Sequence, residues 1–200
     1  MRSASGAAMG QAVALGFHVR SGFAIAAVVG GAADSPQVHA LSRVELSDPG
    51  SPETRQPYHA GFGELESDAR KLRRRLERVR AAAAASVAQF FAACAPYAPA
   101  GAGLVVGSLG DPAAIANPHI RAHALEGQLF RSILQELLHD HGLPTALFLE
   151  RSVYQEGAVL LDRPEDQLRR QLSRLPHPRG PWRAAEKLAT LAGWLVLARR

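Results

Sequence analysis

A chain of 200 residues with 47% hydrophobic composition can bury one substantial core and does not demand a second. Its formal net charge of +5 rests almost wholly on arginine, because Lys71 and Lys187 are the only lysines, and guanidinium forks favour phosphate or carboxylate partners. The lone cysteine, Cys94, excludes an internal disulfide and a cysteine-built zinc site and suits a reducing cytoplasm, while no apolar run approaches the roughly 18 residues of a membrane helix.

Residues 1–10 are small and polar and are expected to be disordered, leaving residues 11–200 as one domain. Ala12 to Val19 and Phe23 to Gly30 are short apolar runs around Arg20, Ser21 and Gly22, which predicts a hairpin. A secretory signal is the competing reading of the second run, and Arg20 between the two runs argues against it. Val38 to Leu46 alternates, with Arg43 and Glu45 at polar positions, and predicts an edge-like third strand. The segment Asp48-Pro49-Gly50-Ser51-Pro52 then breaks the chain.

From about Gly63 to Ala95 the period becomes helical: Leu65, Leu72, Leu76, Val79, Ala83, Val87 and Phe90 form one stripe. The first half of this helix carries Arg70, Lys71, Arg73, Arg74, Arg75, Arg78 and Arg80, readable as a solvated face or as a phosphate-contacting ridge. The second half is rich in alanine. Gly103 to Gly107 predicts a short buried strand. A helix from about His119 to His141 follows, with Ala122, Leu125, Leu129, Ile133, Leu137 and Leu138 facing inward, and Gly142 and Pro144 stop it. On that helix His119, His123 and Glu126 share one face, which either suits a metal ion or is an ordinary polar first turn. Thr145 to Leu149 predicts a fifth, parallel strand. Pro164, Glu165 and Asp166 open another helix, residues 176–181 form a rigid break, and Trp182 to Arg199 closes the chain as an amphipathic helix.

Three strands linked by short loops make an antiparallel meander, and helical crossovers make strands four and five parallel to a neighbour. The predicted class is therefore α/β, a mixed five-stranded sheet with helices on both faces.

Local sequence gives this order a resemblance. The stretch Leu15-Gly16-Phe17-His18-Val19-Arg20-Ser21-Gly22-Phe23-Ala24 resembles the first hairpin of the YqgF and RuvC group of Holliday junction resolvase-like proteins, within the ribonuclease H-like superfamily. Val105-Val106-Gly107, the Arg121 to Gly142 helix and Leu149-Glu150-Arg151 resemble the segment whose strand ends in an Asp-Glu-Arg motif. Pro181-Trp182-Arg183-Ala184-Ala185-Glu186-Lys187-Leu188-Ala189 resembles the last RuvC-type helix. The resemblance implies a ribonuclease H-like fold and an acidic site at His18, Glu150 and Glu186, the candidate catalytic and metal-binding residues. It also exposes departures: His18 stands where the group has an aspartate, and Arg183 and Glu186 stand where the last helix carries aspartates.

Two-metal phosphodiester hydrolysis needs hard oxygen ligands able to bridge two magnesium ions. An imidazole offers one nitrogen and prefers borderline metals. The reading is therefore a nucleic-acid-binding protein with a degenerate site and no efficient nuclease activity, in which Arg20, Arg70, Arg73, Arg74, Arg78 and Arg183 contact DNA or RNA backbones. One alternative is a structure-selective nuclease using magnesium or manganese on His18, Glu150 and Glu186, with Asp111 as a further carboxylate. Another is an interaction module or homodimer, docking through Ala81 to Ala85, Phe90 and Phe91. Other site classes find no support, since Gly101-Ala102-Gly103-Leu104 lacks the lysine of a phosphate loop and no nucleophile elbow is present.

Overall fold

The Arg20-Ser21-Gly22 segment forms a tight reversal in which Gly22 takes φ +83°, a conformation that side-chain-bearing residues avoid, and Phe23 returns the chain opposite Arg20. This reversal joins β1 (Gln11–Arg20) to β2 (Phe23–Gly31), and β3 (Pro36–Glu45) completes the antiparallel meander. β4 (Tyr97–Val106) and β5 (Thr145–Leu149) lie parallel on the other side of β1, giving a five-stranded sheet of order β3-β2-β1-β4-β5. The predicted fold class is thus the observed one. The computed structural model describes residues 11–199, so the segment 1–10, expected to be disordered, lies outside the described residues.

β4 begins at Tyr97, well before Gly103 where the apolar run starts. Its first residues pair with Gln11 to Val13, and the β1 register shifts between Val13 and Leu15, next to Pro99, which has no N–H to give the ladder.

The first helix, α1, spans Ala69–Ala93 and starts later than its periodic pattern because the Asp68 carboxylate accepts the amides of Arg70 and Lys71 there. Leu65, assigned to the helix stripe from sequence, instead forms a β-bridge with His59. α2 (Pro118–Asp140) is capped by the Asn117 side chain, with proline in its first turn. Three further helices follow: α3 (Val153–Leu160), absent from the sequence reading, α4 (Glu165–Arg174) and α5 (Ala184–Ala198).

Strand alternation divides the core into two layers. Val13, Leu15, Phe17 and Val19 of β1 pack with Val79, Val87 and Phe90 of α1 and Phe130, Ile133 and Leu134 of α2. On the opposite face Val105 and Phe148 pack with Leu168 and Leu172 of α4 and Leu191 and Trp194 of α5. α5 lies almost directly on the sheet backbone. A Cβ on Gly16 would come within 1.9 Å of the Ala189 carbonyl oxygen, and one on Gly103 within 2.5 Å of the Ala192 carbonyl oxygen. Trp194 fixes the helix lengthwise by donating its indole N–H to the Ala33 carbonyl at 2.7 Å.

The docking face proposed on α1 is partly core: Phe90 is only 8% exposed and sits edge-to-face on Phe17 at 5.6 Å, while Phe91 stacks on His141 at 3.8 Å. Of the alanines, Ala81, Ala84 and Ala85 remain exposed. The inward face of α2 is rotated from the leucine stripe, since Ala122, Glu126, Phe130, Ile133, Leu134 and Leu138 are buried, whereas Leu125, Leu129 and Leu137 are half-buried. No helix among the described residues is long and apolar enough to cross a membrane.

Candidate functional site

His18 follows the core residue Phe17, so alternation turns it to the opposite face of β1, the side covered by α5. The residue is 1% exposed. Its Nε2 lies 3.2 Å from Glu150 Oε2, just past the end of β5, and Arg20 reaches the same oxygen at 3.4 Å from the exposed end of β1. The backbone amide of Glu150 donates to the Val106 carbonyl, which holds the carboxylate at the carboxyl ends of the parallel strands. Burial lowers the His18 pKa from its ordinary value near 6.5; the hydrogen bond and charge of Glu150 oppose that shift, and Arg20 adds to it. A neutral ring beside a carboxylate carries its proton on Nε2 and donates it to Glu150. Nδ1 is then an acceptor, buried and without a hydrogen-bond partner among the described residues.

Glu186 lies close enough for its charge to act on His18, but its Oε2 accepts the Arg183 amide at 2.9 Å in the first turn of α5. Arg183 has no acceptor atom to return the bond, so only half of a reciprocal capping box forms. Asp111 is likewise engaged, capping a 3₁₀ turn by accepting the Ala113 amide.

Of the candidate phosphate-contacting arginines, Arg183 stands just before α5 and the other five fall in two places. Arg20 stands at the His18–Glu150 cluster, whereas Arg70, Arg73, Arg74 and Arg78 lie on α1, across the sheet. Ser86 of α1 accepts the Glu45 amide at the end of β3, so the part of the helix before Ser86 continues past that strand end, over the loop that follows. There Arg78 bonds Ser51 and approaches Glu53 at 3.7 Å. Arg70, Arg73 and Arg74 are exposed, and none has an ion-pair partner among the described residues. Arg75 departs from its neighbours: it is buried and holds residues 57–66, donating to the carbonyls of Pro57 at 2.9 Å and His59 at 3.0 Å, and pairing with Glu66.

That loop brings His59, which the sequence reading did not single out, against His119, His123 and the buried Glu126 of α2. His123 also borders a cleft of about 400 Å³ between the β1–β2 turn, the end of β4 and α2, with Arg20 and Arg131 on its walls. A second cleft of about 310 Å³ lies between β2, β3 and the start of α5, where Arg43 and Arg179 face Glu186. Arg43, Arg131 and Arg179 were invisible as site residues because each stands alone in sequence and only the sheet ends gather them.

No family model matches the chain, and no curated protein matches it at a significant level. Solved structures do. Thermus thermophilus RuvC, determined alone and in complex with Holliday junction substrate, superposes with a TM-score of 0.52 at 12% identity, covering 92% of both chains. The yeast mitochondrial Holliday junction resolvase Ydc2 superposes with a TM-score of 0.51 at 12% identity, over 96% of this chain and 82% of that one. The chain therefore has the ribonuclease H-like α/β fold of RuvC and Ydc2.

Proposed function

We propose that the chain is a nucleic-acid-binding domain, spanning residues 11–200, whose ribonuclease H-like site has lost efficient nuclease chemistry. One observation carries the reading: Glu150 Oε2 is held by both His18 Nε2 and the Arg20 guanidinium. A pair of magnesium or manganese ions needs carboxylate oxygens free to bridge them. Here the central-strand position presents an N–H, the strand-end carboxylate is neutralised by a cation, and the last-helix carboxylate is used as a cap. These residues do not fit two such ions. They do suit anion binding, because Arg20 and Arg131 line one cleft and exposed Arg70, Arg73 and Arg74 lie on the part of α1 that passes the end of β3. The fold shared with a RuvC bound to Holliday junction substrate supports nucleic acid as the partner. The single buried Cys94, its thiol pushed up by burial, suits a reducing compartment.

Fluorescence anisotropy with labelled single strands, duplexes, an RNA hairpin and a four-way junction tests the reading. Binding is expected to weaken as salt rises, and Arg73→Ala with Arg74→Ala is expected to flatten the salt slope by about 0.9 for each phosphate that is no longer neutralised. No shift of any probe at low salt would overturn it.

The same likeness to RuvC favours a second reading, a metal-dependent nuclease in which His18, Glu150 and Glu186 hold the ions. It predicts cleavage by the wild type that Glu150→Gln abolishes without unfolding the protein.

A further inference from the structure

We propose that His59, His119 and His123 form a binding site for one divalent transition-metal ion, zinc by preference, supported by the carboxylate of Glu126. Its ligands are not those of the His18–Glu150 cluster, although His123 and Arg20 border the same cleft, and metal binding stands or falls independently of nucleic-acid binding.

The ligand set is assembled from two distant parts of the chain. His119 and His123 lie one turn apart on α2, and His59 arrives on the loop that Arg75 holds from α1. One nitrogen from each ring can be chosen so that all lie within 4.8 Å of one another. His59 Nε2 and His119 Nδ1 are 3.2 Å apart, close to the roughly 3.3 Å separating two nitrogens bound tetrahedrally to one zinc at about 2.0–2.1 Å. The three rings touch one another, with centroids 4.4 Å apart for His59 and His123, 4.6 Å for His119 and His123 and 5.1 Å for His59 and His119. Gly63, at φ +81°, leaves room for the His119 ring, since a Cβ there would stand 3.0 Å from His119 Nδ1.

Glu126 points independently to a ligand. Its side chain is fully buried beside the His59 and His123 rings, an arrangement that costs free energy unless the charge is matched. Oε1 lies 2.7 Å from His59 Nδ1, so a proton there turns the Nε2 lone pair toward the cluster, the usual carboxylate support for a metal-bound imidazole. Oε2 has no hydrogen-bond partner among the described residues, although His123 Nδ1 stands 3.4 Å away; an ion drawing the two α2 histidines together supplies the missing positive charge. Three imidazoles with one open position suit zinc, cobalt or nickel and exclude magnesium and calcium, which take oxygen ligands. His119 and His123 are exposed, so an ion can enter and the fourth position takes water. The bound ion pins residues 57–66 to the start of α2.

The test uses the full-length chain without a purification tag, stripped with a chelator. Cobalt is titrated and followed by visible absorption, and zinc is titrated against a chromophoric chelator. One equivalent of cobalt with tetrahedral bands, and zinc binding weakened at least about 100-fold by His59→Ala, His119→Gln or His123→Gln, is the expected result. Glu126→Gln weakens binding about 10–100-fold, as loss of a supporting carboxylate does elsewhere. His177→Ala, whose ring stacks on Trp182 far along the chain, leaves it unchanged. His119 and His123 are exposed, so their variants are expected to keep the wild-type circular dichroism. No binding to the wild type, or equal binding by the wild type and the triple histidine variant, overturns the proposal.

Discussion

Replacing Gly16 by alanine tests how α5 is seated over the site. The added Cβ would meet the Ala189 carbonyl oxygen at 1.9 Å and the Gly193 amide nitrogen at 2.4 Å, both of them backbone atoms of one helix. Reaching an ordinary contact of 3.4 Å requires α5 to retreat by about 1.5 Å, since no side chain can rotate out of the way. Overpacking a core costs about 1–3 kcal/mol, and an obstacle made of backbone places this variant at about 3 kcal/mol or more. For a chain of this size each kcal/mol lowers Tm by about 2–4 °C, so the expected fall is about 6–12 °C. Thermal unfolding followed by circular dichroism measures it. Gly107→Ala is the control, because nothing lies within 4 Å of its added Cβ. A Gly16→Ala melt within about 2 °C of wild type would refute the seating of α5 directly on β1.

Burial favours the neutral His18 ring, so the unfolded chain takes up a proton as pH falls through about 6.5 while the folded ring resists. Stability contributed by this group is present above that pH and is lost as pH drops toward the folded pKa; the urea midpoint of His18→Gln should fall less between pH 7.5 and 5.5 than that of wild type, and an equal fall would remove His18 from the account. Arg20→Ala removes an exposed guanidinium and should weaken every nucleic-acid probe to a similar degree, lowering the salt slope by about one, whereas an unchanged slope would take Arg20 out of the interface. Arg75→Met strands the Pro57 and His59 carbonyls that Arg75 now satisfies and should cost about 2–3 kcal/mol by denaturant unfolding. The same variant should weaken zinc binding, because it frees the loop that delivers His59; stability within about 0.5 kcal/mol of wild type would contradict the role given to Arg75.

The parts of this fold legible in the sequence are those set by local chemistry. The Arg20-Ser21-Gly22 reversal, the Gly142 and Pro144 stop and the β5 run Thr145–Leu149 each carry their own signal, and their order specifies the mixed sheet. The first half of β4 was not legible because Ala98, Pro99, Ala100 and Gly101 are poor strand formers; Ala98 and Pro99 are held extended by pairing with β1, and Ala100 and Gly101 lie at the register shift. α3 escaped because it is eight residues long and contains Gly157, where Leu168, Leu191 and Leu195 close over the missing side chain.

At the site, motif resemblance placed His18, Glu150 and Glu186 at one end of the sheet. It could not say that Arg20 shares the Glu150 oxygen or that Glu186 caps α5, which are consequences of rotamers and strand ends. From sequence, Glu126 shares a helix face with His119 and His123, and nothing there marks it as buried. It is buried because His59, distant in sequence, covers it, and no periodicity records such a contact.

The proposed domain holds nucleic acid on its arginines and does not cut it at His18, Glu150 and Glu186. The most direct test is a single-turnover assay, with protein in excess over a labelled four-way junction already shown by anisotropy to be bound, incubated with magnesium or manganese beside the Glu150→Gln variant. The account predicts full-length strands in every lane while the complex persists. A product formed by the wild type and absent with Glu150→Gln would contradict it and restore an active nuclease.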